Sequence, residues 1–189
     1  MNTRASTITI AAIVVSVLSF LSACHHATRH NQGGDSTELK TIEERQDKGT
    51  TRRNRSDFEG AIAAHDSCIT LATAIDDTTQ LIVALNNQGT NQRRLGDMAK
   101  AAEYHSNALT LCSQYSDKSS FRAQKNRLHA LNGLGNIYLT IGDRDAAEKV
   151  FREALRGEEL LQSATGQAIN LANIGSIKQS TGQADSELV

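Results

Sequence analysis

A chain of 189 residues without Trp or Pro, 39% hydrophobic but only 4% aromatic, has the length for one ordinary domain plus an appendage. Ala, Leu, Gln, Arg and Glu are common and β-branched runs are almost confined to the extreme N-terminus, a composition that favours an all-α protein. Twenty basic residues stand against 21 acidic ones, so no one-signed field argues for nucleic acid, and three cysteines imply no disulfide framework.

The first element is MNTRASTITIAAIVVSVLSFLSAC. Arg4 precedes an apolar stretch from Ile8 to Leu21, too short for a comfortable membrane span but suited to the apolar region of an export signal. It ends in Leu21-Ser22-Ala23-Cys24, which resembles a bacterial lipobox. The resemblance implies a signal peptide over 1–23, thioether attachment of diacylglycerol to Cys24, and acylation of the amine freed by cleavage. Two or more acyl chains hold a protein stably on a membrane, each buried methylene contributing about 0.8 kcal/mol. His25, rather than Asp, follows the cysteine, which by the same resemblance favours the outer membrane. The next stretch, over 24–37, is polar, contains adjacent glycines and lacks apolar periodicity, so it reads as a flexible tether. His25, His26 and His30 lie in it without the density or spacing of a metal-binding tract, and no metal or cofactor is expected.

From residue 38 a repeat organises the chain. Gly135 is preceded by Leu131 and Leu134 and followed by Tyr138, Gly142-Asp143, Ala147, Phe151 and Ala154-Leu155. Gly89 has Leu85 before it and Gly96-Asp97, Ala101, His105 and Ala108-Leu109 after it. Gly175 follows Leu171 and Ile174 and precedes Gly182-Gln183. Gly49 fits more weakly, through Ser56-Asp57, Ala61-Ile62, His65 and Cys68-Ile69. The four reference glycines are 40, 46 and 40 residues apart. This pattern resembles the tetratricopeptide repeat, a helix–turn–helix with small residues where its helices cross. The spacings exceed the usual ~34 residues, as in the extended-repeat types near kinesin light chain. The resemblance implies an all-α, superhelical solenoid of antiparallel helix pairs over 38–189, its last repeat incomplete.

Helices are expected over 56–74, 78–95, 97–115, 120–141, 143–162 and 166–181. The unit around Gly49 lacks an apolar first helix, so that helix is not assigned. Gly135 and Ala147 are expected to meet at the helix crossing, with Gly89 and Gly175 under equivalent crowding. Gly142 should close the first helix in a left-handed cap and Asp143 should cap the second. Gly96 and Gly182 take the same turn position.

No phosphate loop, zinc-protease motif or Cys-x-x-Cys pair occurs, and no convergent set of titratable groups suggests an enzyme. His65 and His105 occupy equivalent positions on second helices and read as seam residues replacing an aromatic. Cys68 and Cys112 lie on successive second helices; Cys68 reads as a buried thiol, and export would permit a bridge between them. The family resemblance carries peptide binding onto first-helix positions: Asn86, Thr90, Arg93 and Arg94; His129, Asn132, Asn136 and Leu139; and Ser176 with Gln179. Asn amides would bond a peptide backbone, and Arg93 and Arg94 would pair with a carboxylate. The lysine-rich carboxylate clamp of some chaperone-binding members is not reproduced. The expected function is a lipid-anchored envelope adaptor for a protein or peptide, possible also as a homodimer. The alternative is the sensor-input portion of a larger regulator, motivated by the unfinished last unit.

Overall fold

The computed structural model describes residues 36–114, 118–180 and 182, which form seven helices and, among the described residues, no strand. They are α1 (Ser36–Asn54), α2 (Phe58–Ala74), α3 (Thr78–Leu95), α4 (Met98–Gln114), α5 (Phe121–Ile141), α6 (Arg144–Leu160) and α7 (Ala164–Ser180). Each helix packs on its sequence neighbours, and the first helices α1, α3 and α5 also stack on one another. That is the contact order of a repeat solenoid. The signal segment, Cys24 and the three tether histidines lie outside the described residues, while α1 begins at Ser36, inside the stretch read as tether.

The turns follow from the Gly-Asp and Ser/Asp-Asp pairs. Gly96 and Gly142 adopt φ values of 100° and 86° and close α3 and α5. Gly182 has φ 70° at the corresponding place after α7. Asp57, Asp77 and Asp143 then accept a hydrogen bond from the backbone N–H three residues on, at 2.9, 2.9 and 3.0 Å. Asp97 does the same for Lys100 at 3.0 Å. Each such cap satisfies a donor the helix cannot, worth about 1 kcal/mol against Ala.

In the first unit the left-handed turn position is Ser56, with φ 63°. A non-glycine residue there costs roughly 1 kcal/mol. Ser56→Gly should therefore stabilise the fold by up to about 1 kcal/mol, raising the melting temperature by roughly 2–4 °C. Thermal melting by circular dichroism reads this directly; a fall in melting temperature contradicts the strain.

The unassigned first helix is present. Its overall polarity hides one face on which Ile42, Gln46 and Gly49 are buried. The spacing of 42, 46, 49 and 53 places these three and Arg53 along a single helical stripe. Ile42 packs with Cys68, Ala72 and Ala84. A narrow apolar stripe suffices because α2 and α3 supply the rest of the core.

The core is built from small residues and a few large ones. Ala61, Ala84, Ala101, Ala108, Ala130, Ala147 and Ala154 are fully buried, with Ile42 and Phe151. Small side chains let helix axes approach, and glycines go further. A Cβ at Gly135 would lie 2.6 Å from Phe151 Cε1, and one at Gly89 would lie 2.7 Å from His105 Cδ2. A Cβ at Gly49 would strike the His65 ring, and one at Gly133 would also strike the His105 ring. In all three units the ring sits sixteen residues after the glycine: 49 and 65, 89 and 105, 135 and 151. The nearest neighbour of Gly135 at the crossing is thus the Phe151 ring. Ala147 is buried in the same cluster with Ile174 and Ile177.

Gly175 corrects the expectation of equal crowding. Nothing lies within 4 Å of a Cβ built there, because among the described residues no second helix follows α7 to bring a ring against it.

Candidate peptide-binding face

The face made by the stacked first helices carries the residues singled out for binding, but it does not treat them alike. Asn86 is fully buried. Its Nδ2 donates to the Asn126 carbonyl at 2.9 Å, and its Oδ1 accepts from His105 Nδ1 at 3.1 Å. It is a structural residue, fixed because the histidine that replaces an aromatic at the seam needs an acceptor. Leu139 is half-buried and packs at the edge of the Ala147, Phe151, Ile174 and Ile177 cluster, so it belongs to the core.

Thr90, Arg93, Asn132 and Asn136 are half-buried, and Arg94 and His129 are exposed. Thr90 Oγ1 donates to the Asn86 carbonyl at 3.0 Å and lies 3.4 Å from His129 Nε2, which joins α3 to α5 on this face. Asn136 Nδ2 donates back to the Asn132 carbonyl at 2.9 Å, so part of its amide serves its own helix. Ser176 and Gln179 are exposed on α7.

One residue was missed. Arg53, at the end of α1, lines a cleft with Asn54, Ser56, Phe58, Thr90 and Arg94. It is the first-unit counterpart of Arg93: each follows its reference glycine by four, 49 to 53 and 89 to 93. That offset is legible in the sequence, but the polarity of the first helix conceals that it is a helix at all. Arg53 Nη1 donates to Asn87 Oδ1 at 3.2 Å and Asn91 Oδ1 at 3.1 Å, both neutral oxygens. Asn87 is held in turn by Gln46 at 3.0 Å, and Asn91 donates to Gln88 at 3.1 Å. Gln88 then donates to Asp66. A polar relay inside the solenoid therefore sets the orientation of a surface guanidinium.

The electrostatics of this face are cationic. Burial first, and then the charge of Arg94, lower the pKa values of both Arg53 and Arg93. Both remain charged at neutral pH, since guanidinium pKa values lie so high. His129 is open to solvent yet hemmed in by protein, and burial followed by the Arg53 charge lowers its pKa. Its ring centroid is 6.1 Å from that of His105.

Cys68 and Cys112 are free, buried thiols, which corrects the possible bridge. They sit in different core clusters, Cys68 beside Ile42 and Cys112 beside Ile82 and Leu85. Burial pushes the Cys68 thiol up to about 11. Among the described residues no group of three or more His, Cys, Asp or Glu side chains is placed to hold a metal, and no helix is long and apolar enough to cross a membrane.

Comparison with known proteins decides the fold. Residues 128–156 match the family model described as tetratricopeptide repeat. The crystal structure of BtubC (BKLC) from P. vanneervenii superposes with a TM-score of 0.66 at 15% identity, covering 83% of this chain. Residues 128–156 thus carry a tetratricopeptide repeat, and the described helices have the fold of a helical repeat solenoid. The match falls on the third helix pair, the unit with both seam glycine and aromatic ring, while its repeat neighbours diverge by carrying His65 and His105. The chain spans 63% of the length of BtubC, and no curated protein matches it. Repeats of this kind make a scaffold for protein–protein interaction.

Proposed function

We propose that this protein is a lipid-anchored adaptor of the bacterial cell envelope whose stacked first helices bind an extended segment of a protein partner, without chemistry of its own. The observation that carries the binding half is the alignment of Thr90, Arg94, His129 and Asn136 on one face spanning α3 and α5, where Thr90 Oγ1 reaches His129 Nε2 between the helices. A continuous surface of this kind suits a peptide that lies across successive repeats. The anchoring half rests on Leu21-Ser22-Ala23-Cys24 after an apolar stretch of export length. The outer membrane, with the repeats in the periplasm, is the proposed site.

Affinity capture from native envelopes tests the binding half. Arg94→Glu combined with Asn136→Ala should reduce recovery of the partners by about 10-fold or more, as expected when a charge-assisted contact is lost. Equal recovery from parent and variant contradicts a binding site on this face. For the anchor, an alkyne fatty acid fed to the native host should label the parent and not Cys24→Ala; a label that survives the substitution excludes that attachment site.

A further inference from the structure

We infer that the N-terminal end of the solenoid is a membrane-facing surface, on which Arg45, Lys48 and Arg52 receive the phosphates of anionic phospholipids and hold the first helix pair against the bilayer. The inference rests on the lipid-anchored reading above and deepens it by stating which end of the repeats meets the membrane and through which groups.

The repeat itself singles out these three residues. They stand four before, one before and three after the reference Gly49. The same offsets give Leu85, Gln88 and Gln92 in the second unit and Leu131, Leu134 and Tyr138 in the third. Those positions form the joint with the unit before. Gln88 donates to the Ile62 carbonyl and to Asp66 on α2, and Leu134 and Tyr138 pack with Ala101 on α4. Tyr138 is half-buried and the others are buried. In α1, which no described helix precedes, the joint positions carry three cations instead. Arg45 and Lys48 are exposed there, and Arg52 is half-buried.

An open solenoid end needs polar groups, but not groups of one sign. Here the signs are sorted. Arg45, Lys48 and Arg52 follow one another at intervals of three and four residues and so share one side of α1. Glu43 and Asp47 fall two residues to either side of Arg45, about 200° round the helix from it. Glu44, beside Lys40 at 3.9 Å, and Asp57, against Arg52 at 3.1 Å, flank the cationic row without interrupting it.

The surface has room for headgroups. A cleft of about 510 Å³ separates the cationic row from Gly60, Ala63, Ala64 and Ser67 on α2. Forty residues later the same places hold Lys100, Glu103, Tyr104 and Asn107, so the wall opposite the cations is stripped of bulk in the first unit alone of these two. A Cβ at Gly60 would strike Arg52 Nη1, so that glycine also leaves space for the guanidinium. Arginine forks pair with two phosphate oxygens at once, and lysine adds a point charge.

The tether decides the occupant. Eleven residues separate Cys24 from Ser36, the first residue of α1, and they span at most about 40 Å. With Cys24 acylated, the lipid surface is therefore the anion held at high effective concentration beside this end of the repeats. Its field decays within about 8 Å at physiological salt, so the cationic row turns proximity into contact. Each Lys or Arg near such a surface strengthens binding by about 5-fold.

The test uses the chain purified from its native membranes and reconstituted into vesicles of phosphatidylcholine, alone or mixed with phosphatidylglycerol. A fluorophore on Thr70→Cys, exposed on α2 one turn on from Ser67, is quenched by phospholipids bearing a nitroxide headgroup; Cys68 and Cys112 are buried and escape labelling. The ratio of surface-bound to free solenoid should be about 100-fold higher on the mixed vesicles, from about 5-fold for each of three cations. It should collapse in about 1 M salt, where the screening length falls to about 3 Å. Arg45→Gln with Lys48→Gln should lower it by about 25-fold without changing the circular dichroism spectrum. Lys149→Gln with Arg156→Gln, which removes two exposed cations from α6, should leave it unchanged.

Equal quenching on the two kinds of vesicle overturns the membrane-facing end. So does a preference that survives Arg45→Gln with Lys48→Gln, or one that falls equally with the α6 pair. Binding of polyglutamate through Arg45 and Lys48, with no effect of lipid composition, assigns the surface to an acidic protein and overturns it too. The anchor fails separately. Protein that leaves neutral vesicles yet floats with mixed ones through Arg45 and Lys48 has the lipid-binding end without the acyl chains. Protein held on neutral vesicles with no effect of composition has the anchor alone, and protein held on neither overturns both.

Discussion

Gly135→Leu should destabilise the protein by about 3 kcal/mol or more and lower its melting temperature by roughly 6–12 °C. The glycine faces a ring that has nowhere to go. Phe151 is fully buried, and a single Cβ at 135 would lie 2.6–2.9 Å from three of its ring carbons. A leucine adds three further carbons to that clash, so either the α5–α6 axes separate or the ring is expelled from a core where full burial contributes about 1.5–3 kcal/mol. Gly175→Ala is the internal contrast. It occupies the same repeat position, but its Cβ would meet nothing within 4 Å. There the helix propensity of alanine acts alone and should stabilise by up to about 1 kcal/mol. The two substitutions therefore differ in sign, which thermal melting of both variants checks. A tolerated leucine at 135 contradicts the seam.

Acid should unfold the protein well before its carboxylates are fully protonated. His65 and His105 are both fully buried. Burial, then the Arg53 charge, pushes His65 down to about 4. Burial, then His129 and Arg93, pushes His105 down to about 3. His65 Nδ1 lies 2.9 Å from the Ala61 carbonyl and 2.8 Å from the Asn91 amide nitrogen, and the Nε2 of each histidine has no hydrogen-bond partner. Protonation of His105 would thus place a charge among cations and glycine backbones with no acceptor for its new N–H, whereas backbone contacts from Ala61 and Gln46 offset part of that cost at His65. In the unfolded chain both titrate near 6.5. The folded values are depressed, so below 6.5 the unfolded state binds more protons and stability falls as pH drops. The contribution is intact above 6.5 and is lost progressively toward 4, at about 3 kcal/mol for each histidine by pH 4. A loss of about 6 kcal/mol is comparable with the whole stability of a typical domain. Urea unfolding between pH 7 and 4 measures it. His105→Phe should flatten this pH dependence, whatever it does to stability at neutral pH, because it removes one of the three histidines whose pKa the fold lowers and leaves His65 and His129. An unchanged pH profile in that variant contradicts the assignment.

The turns were legible because Gly-Asp at a left-handed cap is a strictly local device: Gly96-Asp97 and Gly142-Asp143 set helix ends without help from the rest of the chain. The helices α2 to α7 lie within a few residues of their expected limits for that reason. Helix α1 escaped because its buried stripe is only Ile42, Gln46 and Gly49, and a stripe containing glutamine and glycine does not register as apolar. The crowding at the crossing was legible as a glycine, but not its partner. Which residue on the second helix reaches the glycine depends on the crossing geometry, and the sixteen-residue offset to His65, His105 and Phe151 emerges only once the helices are placed. Offsets along the first helix likewise placed Thr90 and Arg94 together, and both line the cleft beside Arg53. They failed for Asn86 because its facing depends on a histidine on another helix that requires an acceptor.

The seam between glycine and ring, on which the arrangement of the first helices and their binding face depends, is tested most directly by a double-mutant cycle. Gly135→Ala and Phe151→Leu are made singly and together, and unfolding free energies are measured in urea at pH 7. The shorter, branched side chain at 151 should make room for the new Cβ, so the double variant should be more stable than the sum of the single losses by about 1 kcal/mol or more. The same cycle with Gly175→Ala in place of Gly135→Ala should be additive. Additivity at 135, within the ~0.5 kcal/mol expected of independent sites, would mean that the two residues do not touch and would contradict the packing on which the binding face is built.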